Sequence, residues 1–246
     1  EDVRLRDATT AYAVLSLCGP KSRDILASVG GLDLSDSAFP FNTLQHFHIG
    51  HAPVFAQRLS YTGELGWEIF ITPDFAEHVF ECLMAAGAPH GLQLVGGEAL
   101  NAPRISAGFV HWGHDLAFTD APHQMGLGFI CKPDKGVPFI GREAFLERKA
   151  SAKGPFLCSL RLDDPDALLH HNEPVLRDEK IVGFVTSGAF SAASGSAIGL
   201  CVISPPEGET GRTVASGNYA VLVEGRRVRA EIGLNPINTW DTKNQY

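Results

Sequence analysis

Features that mark several classes of protein are missing from this sequence. Its apolar runs fall far short of the roughly 20 residues that a membrane-spanning helix needs, and its start, Glu1 to Arg4, has no signal-peptide pattern. Basic residues are outnumbered, with 20 Lys and Arg against 28 Asp and Glu and a formal net charge of -8. Protein surfaces that bind nucleic acids are basic, and this composition is acidic. Together with the short apolar runs, it predicts a soluble protein with neither a membrane nor a nucleic-acid partner.

Motifs of zinc, nucleophile and nucleotide sites are missing as well. The five cysteines are widely spaced and form no C-x-x-C pair, which predicts buried reduced thiols rather than disulfides or a zinc site. No G-x-S-x-G nucleophile elbow occurs. The pairs Gly30-Gly31 and Gly96-Gly97 fit neither a dinucleotide-binding loop nor a P-loop, so no flavin fingerprint is present. The cysteines are Cys18, Cys82, Cys131, Cys158 and Cys201.

The sequence does contain enough apolar residues for a full core, 44% of 246. Its first part alternates short strand-like runs with helical spacing of apolar residues. Pro103 lies within one helical stretch and must kink or shorten it, because proline lacks an amide hydrogen. We predict strands over residues 12–17, 47–50, 53–60 and 67–72, and helices over 21–29, 74–86 and 97–108.

Beyond residue 155 the pattern changes to short strands separated by turns. They are predicted over residues 156–162, 173–176, 181–187, 197–203, 218–223 and 226–232, a spacing typical of a small antiparallel barrel or sandwich. The charged segment 147–155 has no apolar periodicity and predicts an exposed linker. We therefore predict an α+β fold, with a mixed α/β domain over residues 1–149 followed by a small antiparallel β-barrel domain over 153–246.

The most distinctive stretch is Tyr61-Thr62-Gly63-Glu64-Leu65-Gly66-Trp67-Glu68. Its glycines permit close backbone approach, so the side chains of Tyr61, Glu64 and Glu68 are able to converge on one ligand. The competing interpretation is a hairpin turn with two solvated glutamates, because glycine-rich turns between strands are common. Spacing by itself favours the turn.

Five motifs follow one another along the chain, at residues 13–24, 61–68, 99–104, 113–116 and 139–145. They resemble, in that order, the segments YAVLxLxGPxSRD, YTGExGxE, ALNSLR, WGxDL and FIGREAL of one family. This is the glycine-cleavage T-protein family, with its folate-binding relatives at the C-terminal end of dimethylglycine and sarcosine dehydrogenases. Residues 163–169 and 183–190 resemble the terminal β-barrel module of the same family.

The resemblance implies capture of a one-carbon unit by tetrahydrofolate, from an aminomethyl group or from an iminium made by a flavin domain. Glu68 matches the family's pterin-binding glutamate and Tyr61 its folate-pocket tyrosine. Glu64, Arg104 and Phe109 complete the candidate folate-binding residues. FAD is expected only in a separate upstream domain. The expected partners are folate and either an FAD oxidoreductase domain or an aminomethyl-carrier protein, in the cytoplasm or, in a eukaryote, the mitochondrial matrix.

Departures from the family pattern leave the catalytic residue unassigned. The family's aspartate nearest the reacting folate nitrogen lies well upstream of the segment that residues 13–24 resemble, so we expect it to be missing from this sequence. We also expect Arg104, although a candidate folate contact, to act as an ion-pair partner for carboxylates. Further departures occur at Glu98, Leu100, Ser106, Phe109 and Gln124.

Two other functions stay open. The departures favour a non-catalytic structural module that packs against a flavin oxidoreductase domain. His46, His48 and His51 form a cluster in which the first two lie on one face of a strand, and His111 and His114 form another, which raises the question of a metal site. No carboxylate stands at ligand spacing in the first cluster, and we predict no metal. His170-His171 is predicted to be solvated.

Overall fold

The computed structural model describes residues 2–151, 153–206 and 211–240 of the chain. Contacts divide it into two compact units, residues 1–96 and 97–246, and each unit has an apolar core of its own. None of the helices in the described ranges combines the length and the apolar character needed to cross a bilayer.

An antiparallel four-stranded sheet and two helices form the first unit, and the strand order is β1-β4-β3-β2. The strands are β1 (Ala13–Cys18), β2 (Leu44–Ile49), β3 (Ala52–Gln57) and β4 (Gly66–Ile71). The helices are α1 (Ser22–Gly30) and α2 (Ala76–Gly87), with short 3-10 segments at Pro73–Phe75 and Ala88–His90.

Alternation along the strands decides which face of this sheet packs against the helices. Trp67, Ile69 and Ile71 of β4 are fully buried, and they share a core with Leu26 of α1 and Val79 of α2. Burial of each such large apolar side chain contributes roughly 1.5–3 kcal/mol. Because successive side chains of a strand point to opposite faces, the residues between these three lie on the face away from the helices.

A closed six-stranded antiparallel barrel, in the order β10-β5-β8-β7-β6-β9, forms most of the second unit. Its strands are β5 (Phe156–Leu162), β6 (Pro174–Arg177), β7 (Lys180–Ser191), β8 (Ser196–Ile203), β9 (Tyr219–Val223) and β10 (Arg226–Gly233). The described helices of this unit are α3 (Asn101–Ser106), α4 (Arg142–Ser151) and α5 (Gly211–Val214), with 3-10 segments at Gly97–Leu100 and Ile237–Thr239.

Helix α3 packs on the barrel through β8, which is apolar on both faces. Ala197 and Ile203 of β8 belong to the cluster inside the barrel. Ile198 and Leu200 belong to a second cluster, which they share with Ile105 of α3. This packing holds the polar side chains of α3 close to Thr186 and Ser187 of β7, where a buried polar network forms.

The predicted fold class is confirmed, with a mixed α/β part followed by a small antiparallel barrel. The predicted helix over 97–108 is a 3-10 segment followed by α3, so it is shortened, as Pro103 led us to expect. The predicted linker over 147–155 is wrong in its first part, because α4 continues to Ser151. Glu, Arg, Lys and Ala dominate that helix and favour helix without marked apolar periodicity. The domain limits 1–149 and 153–246 stay a prediction.

Candidate functional site

The loop that carries Tyr61 and Glu64 is attached to the turn between β1 and α1. The backbone N–H of Gly19 donates to the Leu65 carbonyl over 2.9 Å, and the Ser22 hydroxyl donates to the same oxygen over 3.1 Å. At Gly66 a Cβ would lie 2.9 Å from the carbonyl oxygen of Leu17, so only glycine allows β4 to start this close to β1. The loop is therefore fixed where it enters β4.

Glu68 lies on the central strand β4, on the sheet face away from the helices. It stands opposite Ser16 of β1 and Gln57 of β3 in the strand register. Its side chain is half-buried, and its carboxylate has no hydrogen-bond or ion-pair partner among the residues that the structure describes. Both carboxylate oxygens are thus free to accept hydrogen bonds from a ligand.

Tyr61 and Glu64 precede β4 and are both exposed. The Tyr61 side chain is 40% exposed. A Glu64 carboxylate oxygen lies 3.9 Å from the position that a Cβ on Gly19 would occupy, so this acid lies over the backbone of the β1–α1 turn. The competing interpretation of two solvated glutamates describes Glu64 well, but Glu68 differs because it is half-buried on a central strand.

An aromatic cluster continues the face on which Glu68 lies. The rings of Phe70 and Phe55 stack with centroids 4.8 Å apart, and Tyr12 meets Phe55 edge to face at 5.1 Å. His46 of β2 lies 5.5 Å from Phe55. The sequence interpretation did not include these rings, although Glu68 and Phe70 are two residues apart on one strand and so share a face. The face combines a free carboxylate with flat apolar surface.

Arg104 lies on α3 in the second unit, and its side chain is 4% exposed. Its Nη1 donates to Asp115 over 2.7 Å and to the Phe109 carbonyl over 3.2 Å, and its Nη2 donates to Ser187 over 2.7 Å. Nη2 and Nε also donate to the Asn101 side-chain oxygen, over 3.1 and 3.2 Å. All five guanidinium N–H groups therefore have acceptors, and none is left for a ligand.

Asp115 is the acid that pairs with Arg104, and its side chain is fully buried. One carboxylate oxygen accepts from Arg104 and from the backbone N–H of His111, each over 2.7 Å. The other accepts from the hydroxyls of Thr186 at 2.5 Å and Ser187 at 2.7 Å. We expected Arg104 to form an ion pair, but the sequence interpretation did not identify Asp115 as its partner. The hydroxyl groups that complete the network come from Thr186 and Ser187, which are far from Asp115 in the sequence.

Two other predicted positions also lie in the second unit. Phe109 is 38% exposed, and its carbonyl accepts from Arg104. Gln124, where the family pattern has an acid, is buried, accepts from the backbone of Ala121 over 3.1 Å and donates to the carbonyl of Lys153 over 2.8 Å. The amide at position 124 thus supports the local backbone in a way that a carboxylate, which has no N–H, does not.

The histidines of β2 and its following turn do not converge. His46 and His48 lie on one face of β2, as predicted, but the ring of His51 stacks on His78 at 3.8 Å. Across the described ranges, no group of three or more His, Cys, Asp or Glu side chains is placed to hold a metal ion.

Comparison with known proteins relates the chain to one family along most of its length. The GCVT N-terminal domain matches residues 1–135, and the glycine cleavage T-protein C-terminal barrel domain matches residues 156–237. In solved structures, the glycine cleavage system aminomethyltransferase T from Bartonella henselae has the same fold, with a TM-score of 0.76 at 23% identity over 92% of this chain and 59% of that one.

Curated relatives include longer enzymes. Mitochondrial sarcosine dehydrogenase from Mus musculus is 36% identical over 94% of this chain and 25% of its own length. Mitochondrial dimethylglycine dehydrogenase from Homo sapiens is 32% identical over 94% of this chain and 27% of its own length. An aminomethyltransferase from Bacillus pumilus is 31% identical over 96% of this chain and 62% of its own length. This chain thus spans about a quarter of each of the two dehydrogenases.

Proposed function

Since this chain belongs to the glycine cleavage T-protein family, we propose that it binds tetrahydrofolate and captures a one-carbon unit from a methylated glycine or another aminomethyl donor. Its similarity to sarcosine and dimethylglycine dehydrogenases supports a place within such a dehydrogenase-like protein. FAD would then be bound by a separate oxidoreductase domain of that protein. An aminomethyl-carrier protein is the alternative partner.

The free carboxylate of Glu68 is the observation that carries this proposal. A pterin presents neighbouring N–H donors along one edge, and a carboxylate with two unpaired oxygens accepts both in a bidentate arrangement. Glu68 loses no protein hydrogen bond on accepting them, because it has no partner in the described chain. Its half-buried position limits competition from water, which strengthens each bond.

The neighbouring side chains support an aromatic ligand. Phe70 and Phe55 offer a flat apolar surface on the same sheet face as Glu68. Tyr61 offers a partly exposed ring with a polar hydroxyl. Glu64 lies at the loop end of the same segment and would accept from polar groups at the rim of the ligand. When bound, tetrahydrofolate supplies the nucleophilic nitrogen that accepts the one-carbon unit.

Arg104 and Phe109 have different parts in this proposal. The five engaged N–H groups of Arg104 support a structural role, in which it fixes Asp115 and α3. Phe109 stays a sequence-based prediction of a folate contact. We assign no acid-base catalyst.

Calorimetric titration of the 246-residue chain with 5-formyl-tetrahydrofolate tests the proposal. We expect saturable micromolar binding, and weaker binding by Glu68→Gln. Loss of a charged hydrogen bond costs about 1.5–3 kcal/mol, which corresponds to about 10- to 150-fold in affinity. Glu81→Gln is the matched control, because Glu81 is exposed on α2, whose buried residues pack on the other face of the sheet.

Circular dichroism of each variant establishes that it is folded. Equal binding by Glu68→Gln and the original chain would show that folate, if bound, does not use Glu68. No binding by the folded original chain would contradict the folate proposal as a whole.

A second function, a structural module that packs against a flavin oxidoreductase domain, is favoured by a different observation. Tyr12, Val14 and Leu44 are 40%, 49% and 46% exposed, and all three belong to the face or edges of the first-unit sheet that carry the aromatic cluster. Exposed apolar side chains on one sheet face are a feature of surfaces that contact another protein. A folded chain that binds no reduced folate would favour this function over the first.

A further inference from the structure

Four of the ten histidines of the chain converge on one cavity in the second unit. His111, His114, His170 and His171 line a cavity of about 440 Å³, beside the 3-10 segment Gly97–Leu100 and the start of α3. All four side chains are exposed to solvent, so a small ligand is able to reach them. None of these histidines is among the candidate folate-binding residues.

The imidazole rings lie close enough to influence one another. The rings of His111 and His114 stack with centroids 5.0 Å apart, and His114 meets His171 at 5.6 Å. Nδ1 of His171 lies 2.8 Å from the Thr186 carbonyl oxygen. Because a carbonyl only accepts, Nδ1 carries the hydrogen, and Nε2 of His171 is the nitrogen that takes up a proton.

The net charge of the cavity depends on how many of its imidazoles are protonated, because few other charged groups lie around it. Arg104 lines the cavity, but its charge is balanced by Asp115 and all its N–H groups are engaged. Glu98 is the carboxylate in the lining, and one of its oxygens accepts from Asn101 over 2.9 Å. A carboxylate oxygen of Glu173 accepts from the backbone N–H of His170 over 2.8 Å. With both glutamates counted, two protonated imidazoles would neutralise the site, and protonation of a third or fourth would make it cationic.

We propose that this histidine cavity binds a small oxyanion with two negative charges, a dicarboxylate or a phosphate, together with protons taken up by the imidazoles. Protonating several rings that lie 5–6 Å apart is opposed by like-charge repulsion, and a bound dianion removes that opposition. Protonated imidazoles present N–H donors on both nitrogens, which suits carboxylate and phosphate oxygens.

Binding should depend on pH with a definite sign. The anion binds the protonated form of the imidazoles, so binding takes up protons. Affinity therefore falls as the pH rises, because those protons must then be supplied on binding. A cation would show the reverse dependence, since it competes with protons for the ring nitrogens.

Calorimetric titrations of the whole chain with malonate and with sulfate, both mainly dianions at pH 6.0 and at pH 8.0, test the proposal. We expect one saturable site at pH 6.0 and affinity at least about tenfold lower at pH 8.0, as loss of a cationic partner requires. The double variant His114→Gln and His171→Gln should lose binding at pH 6.0. A difference between the two probes would tell whether a dicarboxylate or a tetrahedral oxyanion such as phosphate is the better ligand.

The matched control is the double variant His46→Gln and His48→Gln, which removes two exposed imidazoles from the sheet of the first unit. It should bind both anions as the original chain does. The proposal is overturned by absence of a saturable site at pH 6.0, by equal affinity at the two pH values, or by binding that survives loss of His114 and His171. Stoichiometric Zn²⁺ binding that the same double variant abolishes, with no anion binding, would also overturn it. None of these outcomes depends on whether the chain binds folate.

Discussion

Asp115→Asn is expected to destabilise the second unit strongly, although it changes one oxygen to an amide nitrogen. In the native structure the Asp115 carboxylate accepts four hydrogen bonds, from Arg104, the His111 backbone, Thr186 and Ser187. An asparagine side chain has one oxygen, so its NH2 group must face two of these donors. The substitution also removes the counter-charge of a guanidinium that is 4% exposed.

The magnitude follows from the burial of the pair. Breaking a buried ion pair by removing one partner costs about 3–5 kcal/mol, because the remaining charge stays buried without compensation. A domain is usually stable by only about 5–15 kcal/mol. Asp115→Asn should therefore remove a large part of the stability of the second unit. The double variant Arg104→Met and Asp115→Asn should lose less than the sum of its single variants, with a coupling of about 0.5–3 kcal/mol.

Urea denaturation measures the loss, and hydrogen exchange of peptides from β7 and β8 assigns it to the second unit. Glu231→Gln is the control. Glu231 pairs with Arg161 at 2.8 Å, a distance similar to that of the Arg104–Asp115 pair, but the Glu231 side chain is 53% exposed. Exposed pairs contribute about 0–1 kcal/mol. If Asp115→Asn costs no more than Glu231→Gln, the conclusion that the Arg104–Asp115 pair organises this part of the fold is wrong.

Two other predictions concern titratable groups whose pKa is shifted by burial. Burial, with the charges of Arg148 and Lys149, lowers the pKa of His123, whose ring nitrogens are buried and have no hydrogen-bond partner in the described chain. The unfolded chain thus binds a proton that the folded one does not, so stability should fall as the pH drops below about 6.5. His123→Leu should reduce that slope in urea titrations between pH 8 and pH 5, and an unchanged slope would contradict this. Burial raises the pKa of Cys158 to about 12 and that of Cys201 well above its usual value. Both thiols should resist Ellman's reagent at pH 8 until the chain unfolds, whereas the half-buried Cys18, Cys82 and Cys131 should react sooner, and equal rates for all five in the folded chain would refute the assignment.

The local pattern of apolar residues was enough to predict a strand where burial is uniform or alternates regularly along the segment. The predicted bounds of β5, residues 156–162, agree with the structure because the residues of that strand are mostly apolar and nearly all of them are buried. Alternation in β4 likewise marked its strand. α4 was not predicted, and its second half was assigned to a linker, because a single residue, Phe145, is buried on it, so helical periodicity of apolar residues is weak there.

The candidate sites depend on contacts between residues that are far apart in the sequence. The motif at 61–68 pointed to Glu68, but only the register of β4 against β1 and β3 placed its carboxylate on the face with Phe55 and Phe70. The domain limits and the folate contacts stay predictions. The sequence also grouped its histidines by closeness in the chain, whereas the structure separates His51 from His46 and joins His114 to His171.

The sequence by itself determined the fold class, the order of the strands and the family, because strand periodicity and short motifs are local properties. Tertiary structure alone decided which polar groups meet. Asp115 accepts a hydrogen bond from the hydroxyl of Ser187, which is 72 residues away in the sequence. The two residues meet because α3 packs on the barrel close to β7. Such pairings depend on strand register and on how the barrel closes, and a shift of one residue would turn every side chain of β7 to the other face.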